Sequence, residues 1–305
     1  MKKIFSTLIV GLVLISFVAG IVNAQSGRTV VDSLDREVTV QGVPERVVTT
    51  IVSTTEIALD LGLDDRLVGV PDLVQYLSYV PELQKIAEKK EKVGGFKLSL
   101  EKIASLEPDL VILDASAQKE MIGKIKDTGA TVYAAGSRNI ESVRETILEI
   151  GYLTGKLEAA KDIVGEMVYK QVRLKDAVGK LEEKRELFYT ISKRMYTAGD
   201  NTFVGQALQL AGLNNVFGEI SGYKPVSTEE IIQRNPELII ATEDMGLSVE
   251  HLRQDKGLKG VKAVKEGNVV LLPTGDDSML NQPGTRIIDG AINLFEKIYD
   301  REVNL

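Results

Sequence analysis

The residue types that carry most metal, thiol and nucleophile chemistry are nearly missing from this sequence. It contains no cysteine and a single histidine, His251, among 305 residues. Zinc and related metal sites usually gather several His or Cys ligands, and a Ser-His-acid triad would depend on His251 alone, which has no nucleophile-elbow motif nearby. The glycines of Val93-Gly-Gly-Phe lack the spacing and the lysine of a phosphate-binding loop. The sequence therefore predicts no catalytic residues, no metal site, no resident cofactor and no enzyme activity.

Carboxylates occur instead in a motif that the chain uses twice. The stretch 99–112 matches the stretch 227–240, with every matched pair 128 residues apart. In both, a serine can cap a short helix, Glu101 or Glu229 lies in the first turn, a proline ends the helix, and a buried strand follows. Ser227 and Glu230 also have the spacing of a capping box. A first-turn glutamate is favoured by the helix dipole in any case. The duplication predicts two similar α/β units.

Short apolar strands and amphipathic helices alternate around this motif. A polar turn between Thr29–Asp32 and Glu37–Val40 predicts a hairpin. The first half contains predicted strands at Val47–Val52, Leu67–Val70, Leu110–Leu113 and Thr131–Ala134, with helices near 54–62, 99–106, 116–128 and 140–155. The pattern resumes with strands at Leu187–Ile191, Leu238–Ala241 and Val269–Leu272, a helix near 203–212, and a last helix after Pro283. This alternation indicates an α/β fold with parallel sheets.

One long helix is predicted between the two α/β halves. From Leu157 to Leu181 apolar residues recur at three- and four-residue spacing, with lysine and glutamate on the other faces. A helix of that length spans about 37 Å, enough to bridge two lobes. A coiled-coil arm is the alternative, but Gln171 interrupts the apolar seam. We therefore expect two Rossmann-like α/β lobes, residues 25–154 and 185–305, joined by one long rigid α-helix within 155–184.

The first residues resemble an export signal. Lys2 and Lys3 precede an apolar run from Ile4 to Val22, and Val22-Asn-Ala has the small-residue pattern of a cleavage site. Residues 1–24 are thus predicted to be a signal peptide; because the run just reaches membrane-spanning length, an uncleaved anchor is the alternative. Either way we expect a periplasmic or other extracytoplasmic protein. The net charge of −7 and the absence of a basic cluster argue against nucleic acid as a partner.

Several motifs in a fixed order resemble one known family. They are Arg46-Val-Val, Ser53-Thr-Thr-Glu-Ile, Leu61-Gly-Leu-Asp-Asp-Arg-Leu-Val-Gly-Val, the stretch 99–112, Ala211-Gly-Leu-Asn-Asn-Val, Val226-Ser-Thr-Glu, Asn235-Pro-Glu-Leu-Ile and Pro283-Gly-Thr-Arg. Over nearly the whole chain after the signal, the sequence resembles the periplasmic binding proteins for cobalamin, ferric siderophores and haem. The resemblance implies two lobes joined by a single rigid helix, a ligand cleft between them, and an ABC importer permease as partner. We expect a monomer.

The resemblance also implies roles for particular residues. In this family one surface glutamate per lobe pairs with arginines of the permease, and the matching positions are Glu101 and Glu229. The ligand is expected at the carboxyl ends of the strands, where open α/β sheets bind ligands. The candidate ligand-binding residues are Ser53, Thr54, Tyr79 and Phe96 in the first lobe, and Arg194, Tyr196, Tyr223 and the Asp276-Asp277 loop in the second.

These side chains suit a large, partly apolar, anionic ligand. Tyrosine offers contact area with a polar tip, and Arg194 beside Lys193 suits an anionic chelate. Each assignment has a plain alternative. Tyr79 shares a helical face with Tyr76 and could cover the core, Phe96 could be a packing residue, and Lys193-Arg194 could be a solvated loop.

The absence of tryptophan narrows the ligand. Relatives with corrin ligands often line the cleft with tryptophan, so an iron(III) chelate, either a siderophore or a haem-like ligand, is favoured over cobalamin. A receptor for a bare divalent metal and an enzyme on a similar two-lobed scaffold are less favoured, because both need clustered His or Cys. A long connecting helix resists bending, so we expect a small closing motion and a largely preformed cleft.

Overall fold

The computed structural model describes residues 27–95, 97–243 and 248–305, so the predicted signal peptide lies outside the described residues. The described chain opens on an antiparallel hairpin of β1 (Arg28–Val31) and β2 (Glu37–Val40). Asp32 fixes this hairpin to the body of the protein. Its carboxylate accepts hydrogen bonds from the Arg36 side chain and from the backbone amides of Leu34, Arg36 and Ala134.

The N-terminal lobe is built on a five-stranded parallel sheet. Its strands are β3 (Val47–Thr49), β4 (Leu67–Val70), β5 (Glu91–Lys92), β6 (Leu110–Asp114) and β7 (Thr131–Ala135), in the order β5-β4-β3-β6-β7. Its helices are α1 (Val52–Asp60), α2 (Pro81–Glu88), α3 (Leu100–Ser105), α4 (Ile122–Lys126) and α5 (Ile140–Leu153), with 3₁₀ turns at Val74–Leu77 and Lys119–Met121. The chain adds strands on one side of β3 and then returns to the other, so the topological switch lies between β3 and β6.

Helix α6 (Leu157–Val178) leads from the first sheet to the second. Its buried residues, Ala160, Met167 and Leu174, repeat at seven-residue intervals along one face. The 22 residues span about 33 Å. The predicted long helix is confirmed, although it ends three residues before Leu181.

The C-terminal lobe repeats the design with a smaller parallel sheet, of four strands. Its strands are β8 (Arg185–Thr190), β9 (Tyr196–Ala198), β10 (Leu213–Asn215), β11 (Tyr223–Pro225), β12 (Leu238–Thr242) and β13 (Val269–Leu272); β10-β8-β12-β13 form a parallel sheet, and β9 and β11 form an antiparallel ribbon. Its helices are α7 (Phe203–Leu210), α8 (Thr228–Arg234), α9 (Val249–Gln254), α10 (Lys262–Glu266), α11 (Thr274–Asn281) and α12 (Ile287–Tyr299), with a 3₁₀ turn at Leu258–Gly260. Here the switch lies between β8 and β12.

The central strands explain why the sheets form. All residues of β3 and β12, and the first four of β6, are buried. Strands that are apolar on both faces need cover on both faces, which helices from a parallel α/β arrangement provide. The two-lobed α/β fold predicted from the sequence is therefore confirmed.

The sequence repeat is also a structural repeat. Ser99 Oγ accepts a hydrogen bond from the Lys102 amide at the start of α3, and Ser227 Oγ accepts one from the Glu230 amide at the start of α8. The predicted capping box is confirmed, because Glu230 also accepts from the Ser227 amide at 2.8 Å. Both helices end on a left-handed residue before the proline, as φ shows at Glu107 (43°) and Asn235 (45°).

Two predicted elements differ in the structure. The helix expected over 116–128 is reduced to a 3₁₀ turn and α4, because the Asp114 carboxylate accepts hydrogen bonds from the amides of Ser116 and Ala117 and holds them in a turn. The strand expected at Val47–Val52 ends at Thr49, and Val52 begins α1. In the part of the chain that the structure describes, no helix is both long and apolar enough to cross a membrane.

Candidate functional site

Segments that follow the strands of one lobe lie against segments that follow the strands of the other. Tyr79, which follows β4, lies against Gly275 at the start of α11, where an added Cβ would sit 3.7 Å from the Tyr79 Cβ. Gly284 approaches α1 even more closely, because a Cβ there would lie 2.0 Å from Glu56 Oε2. Only glycine permits that approach. The loops beyond the strands of both lobes therefore form opposing faces, which is where ligands bind to open α/β sheets.

On the N-terminal face, the switch point is filled by Gln118. Its side-chain oxygen accepts hydrogen bonds from Thr50 Oγ1 and from the Asp114 amide (3.0 Å). Its nitrogen donates to the carbonyls of Thr50 (3.4 Å) and Gly95 (3.3 Å). Gln118 is 3% exposed. The polar groups between β3 and β6 are thus satisfied within the lobe.

Ser53 and Thr54 follow β3 and lie in the first turn of α1. Both are buried, and the Thr54 hydroxyl donates to the Ile51 carbonyl at 3.2 Å. The predicted position at the carboxyl end of a central strand agrees with the structure, but in this arrangement the two side chains are enclosed by the lobe. Phe96, the fourth candidate of this lobe, lies outside the described residues.

On the C-terminal face, the β9–β11 ribbon presents aromatic and cationic side chains. Pro225 pairs with Tyr196 and Tyr223 with Ala198, so the two tyrosines lie diagonally on one face of the ribbon. Tyr223 is 38% exposed and stacks at a tilt on Phe203, with ring centroids 6.2 Å apart. Arg194 is exposed in the turn between β8 and β9 and makes no ion pair with any described residue. The structure brings these three candidates together at the switch point.

Asp276 and Asp277 were expected on a loop, but they lie in the first turn of α11. The helix starts directly after β13 and Pro273, and acidic side chains stabilise a helix N-terminus. Asp277 is buried, and it accepts a hydrogen bond from Asn281, which in turn accepts one from the buried Tyr189 at 3.0 Å. Asp276 is partly exposed and pairs with Lys297 at 3.6 Å.

Tyr79 contributes to a polar cluster between the lobes. Its hydroxyl donates to Glu56 Oε2 at 2.8 Å, and Arg286 Nη1 donates to Glu56 Oε1 at 2.8 Å. Arg286 also binds Asp60, one turn along α1, with Nη2 donating to Oδ1 at 3.1 Å. The Thr285 hydroxyl lies within hydrogen-bond distance of both carboxylates. The carboxylates of Glu56 and Asp60 in the N-terminal lobe thus bind the guanidinium of Arg286 in the C-terminal lobe.

The electrostatics of this cluster follow from its burial. Burial raises the pKa of Glu56, Asp60 adds to the rise, and the Arg286 guanidinium and the Thr285 hydroxyl offset part of it. Burial also raises the pKa of Tyr79, as does the Glu56 carboxylate, so the phenol keeps its proton and acts as a donor. Burial alone would lower the pKa of Arg286, but Asp60 and Glu56 raise it, and the guanidinium stays charged. The cluster holds the lobes together and offers no group poised for catalysis.

Sequence reasoning missed the roles of Glu56, Asp60, Gln118 and Arg286. Glu56 had a usable signal, because it stands inside an otherwise apolar and hydroxyl-rich helix, and a buried carboxylate requires a partner. Arg286 stands in the Pro283-Gly-Thr-Arg motif, yet its partner is 230 residues away. Gln118 lies in a polar stretch and gives no comparable signal.

Glu101 and Glu229 lie at matching points of the two lobes. Each occupies the first turn of its serine-capped helix and is exposed. Neither makes an ion pair with a described residue. The structure therefore leaves both carboxylates available to a partner.

Comparison with known proteins decides the family. A family model described as periplasmic binding protein matches residues 47–274. The chain belongs to the periplasmic binding proteins. It is 29% identical to an uncharacterized ABC transporter substrate-binding lipoprotein, YvrC of Bacillus subtilis, over 89% of this chain and 85% of that protein. It is also 29% identical to a cobalamin-binding protein of Halobacterium salinarum, over 85% of this chain and 70% of that protein.

The chain is also similar to a solved structure, that of a possible iron-binding periplasmic solute-binding protein of Staphylococcus epidermidis. It has 29% identity and a TM-score of 0.72 and covers 84% of this chain and 99% of that one. This periplasmic binding protein is accordingly the substrate-binding component of an ABC importer and not an enzyme, and its partner is a permease. Unlike a lipoprotein anchored through cysteine, it contains no cysteine.

Proposed function

We propose that this binding protein captures an anionic iron(III) chelate in the cleft and delivers it to the importer's permease. The observation that carries the proposal is Arg194, which makes no ion pair with a described residue, beside Tyr196 and Tyr223 at the C-terminal switch point. A guanidinium presents a planar fork of donors to carboxylate, hydroxamate or catecholate oxygens. The tyrosine rings offer flat contact area to the chelator's organic part.

The charge around Arg194 strengthens the argument. Lys193 and Lys224 are also exposed and make no ion pair with any described residue. In a chain of net charge −7, Lys193 and Arg194 in the turn before β9, together with Lys224 on β11, form a local positive field that attracts an anion. A bare metal cation would be repelled from the same surface.

Cobalamin is the second candidate, and the relative from Halobacterium salinarum supports it. A corrin is large and flat and would also use Tyr196 and Tyr223. It would depend less on Arg194, because its contacts are mostly apolar and amide in character. Substitution of Arg194 therefore distinguishes the two ligands.

A ligand screen with the protein comprising residues 25–305 tests the proposal. Thermal shift and calorimetry are measured with ferric siderophores, haem, cobalamin and free divalent metals. A ligand at one hundred times its Kd stabilises the native state by about 2.7 kcal/mol, which a melting curve resolves. We expect a ferric chelate to give the largest shift. Binding of cobalamin alone would favour the second candidate, and binding of free metal alone would contradict both.

The Arg194→Gln variant then tests the site itself. Loss of a charged hydrogen bond should weaken the ferric chelate about ten- to one-hundred-fold. Arg253→Gln, an exposed change of equal charge elsewhere in the lobe, is the control and should bind as the wild type does. Equal affinity in both variants would remove Arg194 from the site.

We also propose that Glu101 and Glu229 dock to basic residues of the permease. Their exposure, the absence of ion pairs with any described residue, and their equivalent positions in the two lobes support this role. The Glu101→Ala/Glu229→Ala variant should bind ligand normally but lose uptake in a reconstituted transporter.

The matched control is Glu82→Ala/Glu250→Ala, which also removes one exposed first-turn glutamate from each lobe. This control should transport normally. Unimpaired uptake by the first variant would refute the docking role, and equal loss in both would point to helix stability instead.

A further inference from the structure

A groove of about 630 Å³ lies beside the linking helix, bounded by α5 of the N-terminal lobe, by α6 and by α7 of the C-terminal lobe. None of the candidate ligand-binding residues lines it. Its cations are Arg144, Lys175 and Lys184, and its acid is Glu141, which pairs with Arg144 at 3.1 Å. The groove therefore carries excess positive charge in a protein that is acidic overall.

The walls of the groove are already tied together by hydrogen bonds. Arg144 Nη2 of α5 donates to Gln171 Oε1 of α6. The Ile140 amide at the start of α5 donates to Gln206 Oε1 of α7 at 2.9 Å. The three helices are thus fixed relative to one another around the groove, and the site is preformed.

These bonds determine which hydrogen-bonding groups remain. The side-chain oxygens of Gln171 and Gln206 are both taken by N–H donors, which leaves their amide NH₂ groups as donors. Arg144 Nε is buried and has no hydrogen-bond partner among the residues that the structure describes. Lys175 and Lys184 are exposed and make no ion pair with any described residue. Apart from the paired Glu141, the polar side chains named here offer donors without a matching acceptor.

We infer that this groove binds a small multivalent oxyanion, one that bears carboxylate or phosphate groups. Several donors around a positive cavity match the oxygens of such an anion, and a buried guanidinium N–H without an acceptor gains a partner when it binds. Because Arg144 belongs to one lobe and Gln206 to the other, the bound anion bridges both lobes at a place separate from the ligand cleft.

The experiment uses citrate and inorganic pyrophosphate as probes, titrated by calorimetry at constant ionic strength set with chloride. We expect saturable binding of at least one probe at a single site. Tighter citrate binding identifies a carboxylate ligand, and tighter pyrophosphate binding a phosphate ligand. Absence of saturable binding by either probe would overturn the inference.

Variants locate the binding. Lys175→Gln/Lys184→Gln should weaken the probe roughly ten-fold or more, since two charge-assisted contacts are lost. Lys124→Gln/Lys180→Gln, which removes two exposed lysines that do not line the groove, is the control and should bind normally. Equal weakening in both variants would show a general charge effect and refute the site.

The NMR signal of the Arg144 Nε–H group provides a local readout, with the Arg144→Lys variant used to assign it. This signal should shift in proportion to saturation by the probe. A signal that stays fixed while the probe binds would place the anion elsewhere and overturn the inference.

Discussion

The two faces of the cleft differ although the sheets behind them follow one plan. On the N-terminal face, the polar groups at the switch point form hydrogen bonds with the Gln118 side chain, and Ser53 and Thr54 are buried. On the C-terminal face, Arg194 is exposed and unpaired with any described residue, and Tyr223 is partly exposed. We therefore predict that the C-terminal lobe supplies most of the contacts to the ligand.

The contrast arises in the connections after the strands and not in the strands themselves. The serine-capped helix, the left-handed residue, the proline and the central strand occur in both lobes. After β8 the chain forms β9 and later β11, whose residues Tyr223–Pro225 are exposed, whereas after β3 it enters α1 at once, where the first eight residues are buried. Binding residues are commonly carried on such connections, while the scaffold stays constant.

The largest loss of stability is expected at the polar cluster that joins the two lobes. Arg286→Ala leaves the buried Glu56 and the adjacent Asp60 without their cation, and removal of one partner from a buried ion pair costs about 3 kcal/mol or more. Urea unfolding should show this loss. Glu56→Gln, which keeps a polar group of the same shape, should cost clearly less. Equal losses would mean that the two lobes contribute symmetrically to the cluster.

Ligand affinity should change next most. Tyr223→Ala removes an exposed aromatic contact and should weaken the ligand about ten-fold, in line with the 1–2 kcal/mol of a partly buried ring. Ser53→Ala, on the enclosed N-terminal face, should change affinity less than two- to three-fold by calorimetry, an amount typical of a residue outside the contact. If Ser53→Ala is the more damaging, the N-terminal face opens to the ligand and the contrast is wrong.

The left-handed residues give a smaller, purely structural test. This conformation costs roughly 1 kcal/mol for most residues but less for asparagine. Glu107→Asn should therefore stabilise the protein by about 0.5–1 kcal/mol, measured as a rise in unfolding midpoint. Asn235→Ala should destabilise it by more, because Asn235 Oδ1 also accepts a hydrogen bond from the Lys262 amide at 2.8 Å. A Glu107→Asn variant that is no more stable than the wild type, or an Asn235→Ala variant that is no less stable, would contradict this account of the left-handed positions.

Two buried carboxylates of the N-terminal lobe should respond to pH in opposite directions. Burial would raise the pKa of Asp32, but hydrogen bonds from Arg36 and from backbone amides lower it below 3.8, so its stabilisation is present above that pH and is lost as pH falls through the lowered value. The pKa of Glu56 is raised above 4.5 by burial. Its folded state gains stability on protonation, and the wild type should lose stability as pH rises from 4.5.

Denaturation curves at several pH values check this pair. Glu56→Gln should remove the loss of stability that the wild type shows as pH rises above 4.5. Asp32→Asn should remove the loss of stability that accompanies protonation of Asp32 at low pH. Of the changes predicted here, we expect the change in pH dependence caused by Glu56→Gln to be the smallest. The Arg286 guanidinium offsets part of the rise in the pKa of Glu56. An unchanged pH profile in the Glu56 variant would contradict the direction.

Much of the fold could be predicted because it rests on local patterns. The strands Leu67–Val70 and Val269–Leu272, the serine caps and the long helix follow from apolar runs, capping spacing and three-four periodicity. The short elements at Tyr196–Ala198 and Tyr223–Pro225 could not be predicted, because their pairing depends on contacts between residues 25 to 29 positions apart and not on composition.

The site could be predicted only through the family resemblance, which places candidate residues at the carboxyl ends of the strands. It implies Ser53, Thr54, Arg194 and Tyr196, but it does not say which of their side chains are exposed. The resemblance implies a loop at Asp276 and Asp277, but Pro273 lies at the start of α11, a position that proline suits. The bond between Glu56 and Arg286 is a tertiary contact that no local pattern encodes.

The bond between Glu56 and Arg286 has a kinetic consequence. It joins residues 230 positions apart, near opposite ends of the described chain, so we expect it to form late, after both lobes have folded and docked. Interactions absent from the transition state act mainly on the rate of unfolding. We therefore expect the Arg286 ion pair to slow unfolding, and so to extend the lifetime of the folded protein, while the rate of folding stays almost unchanged.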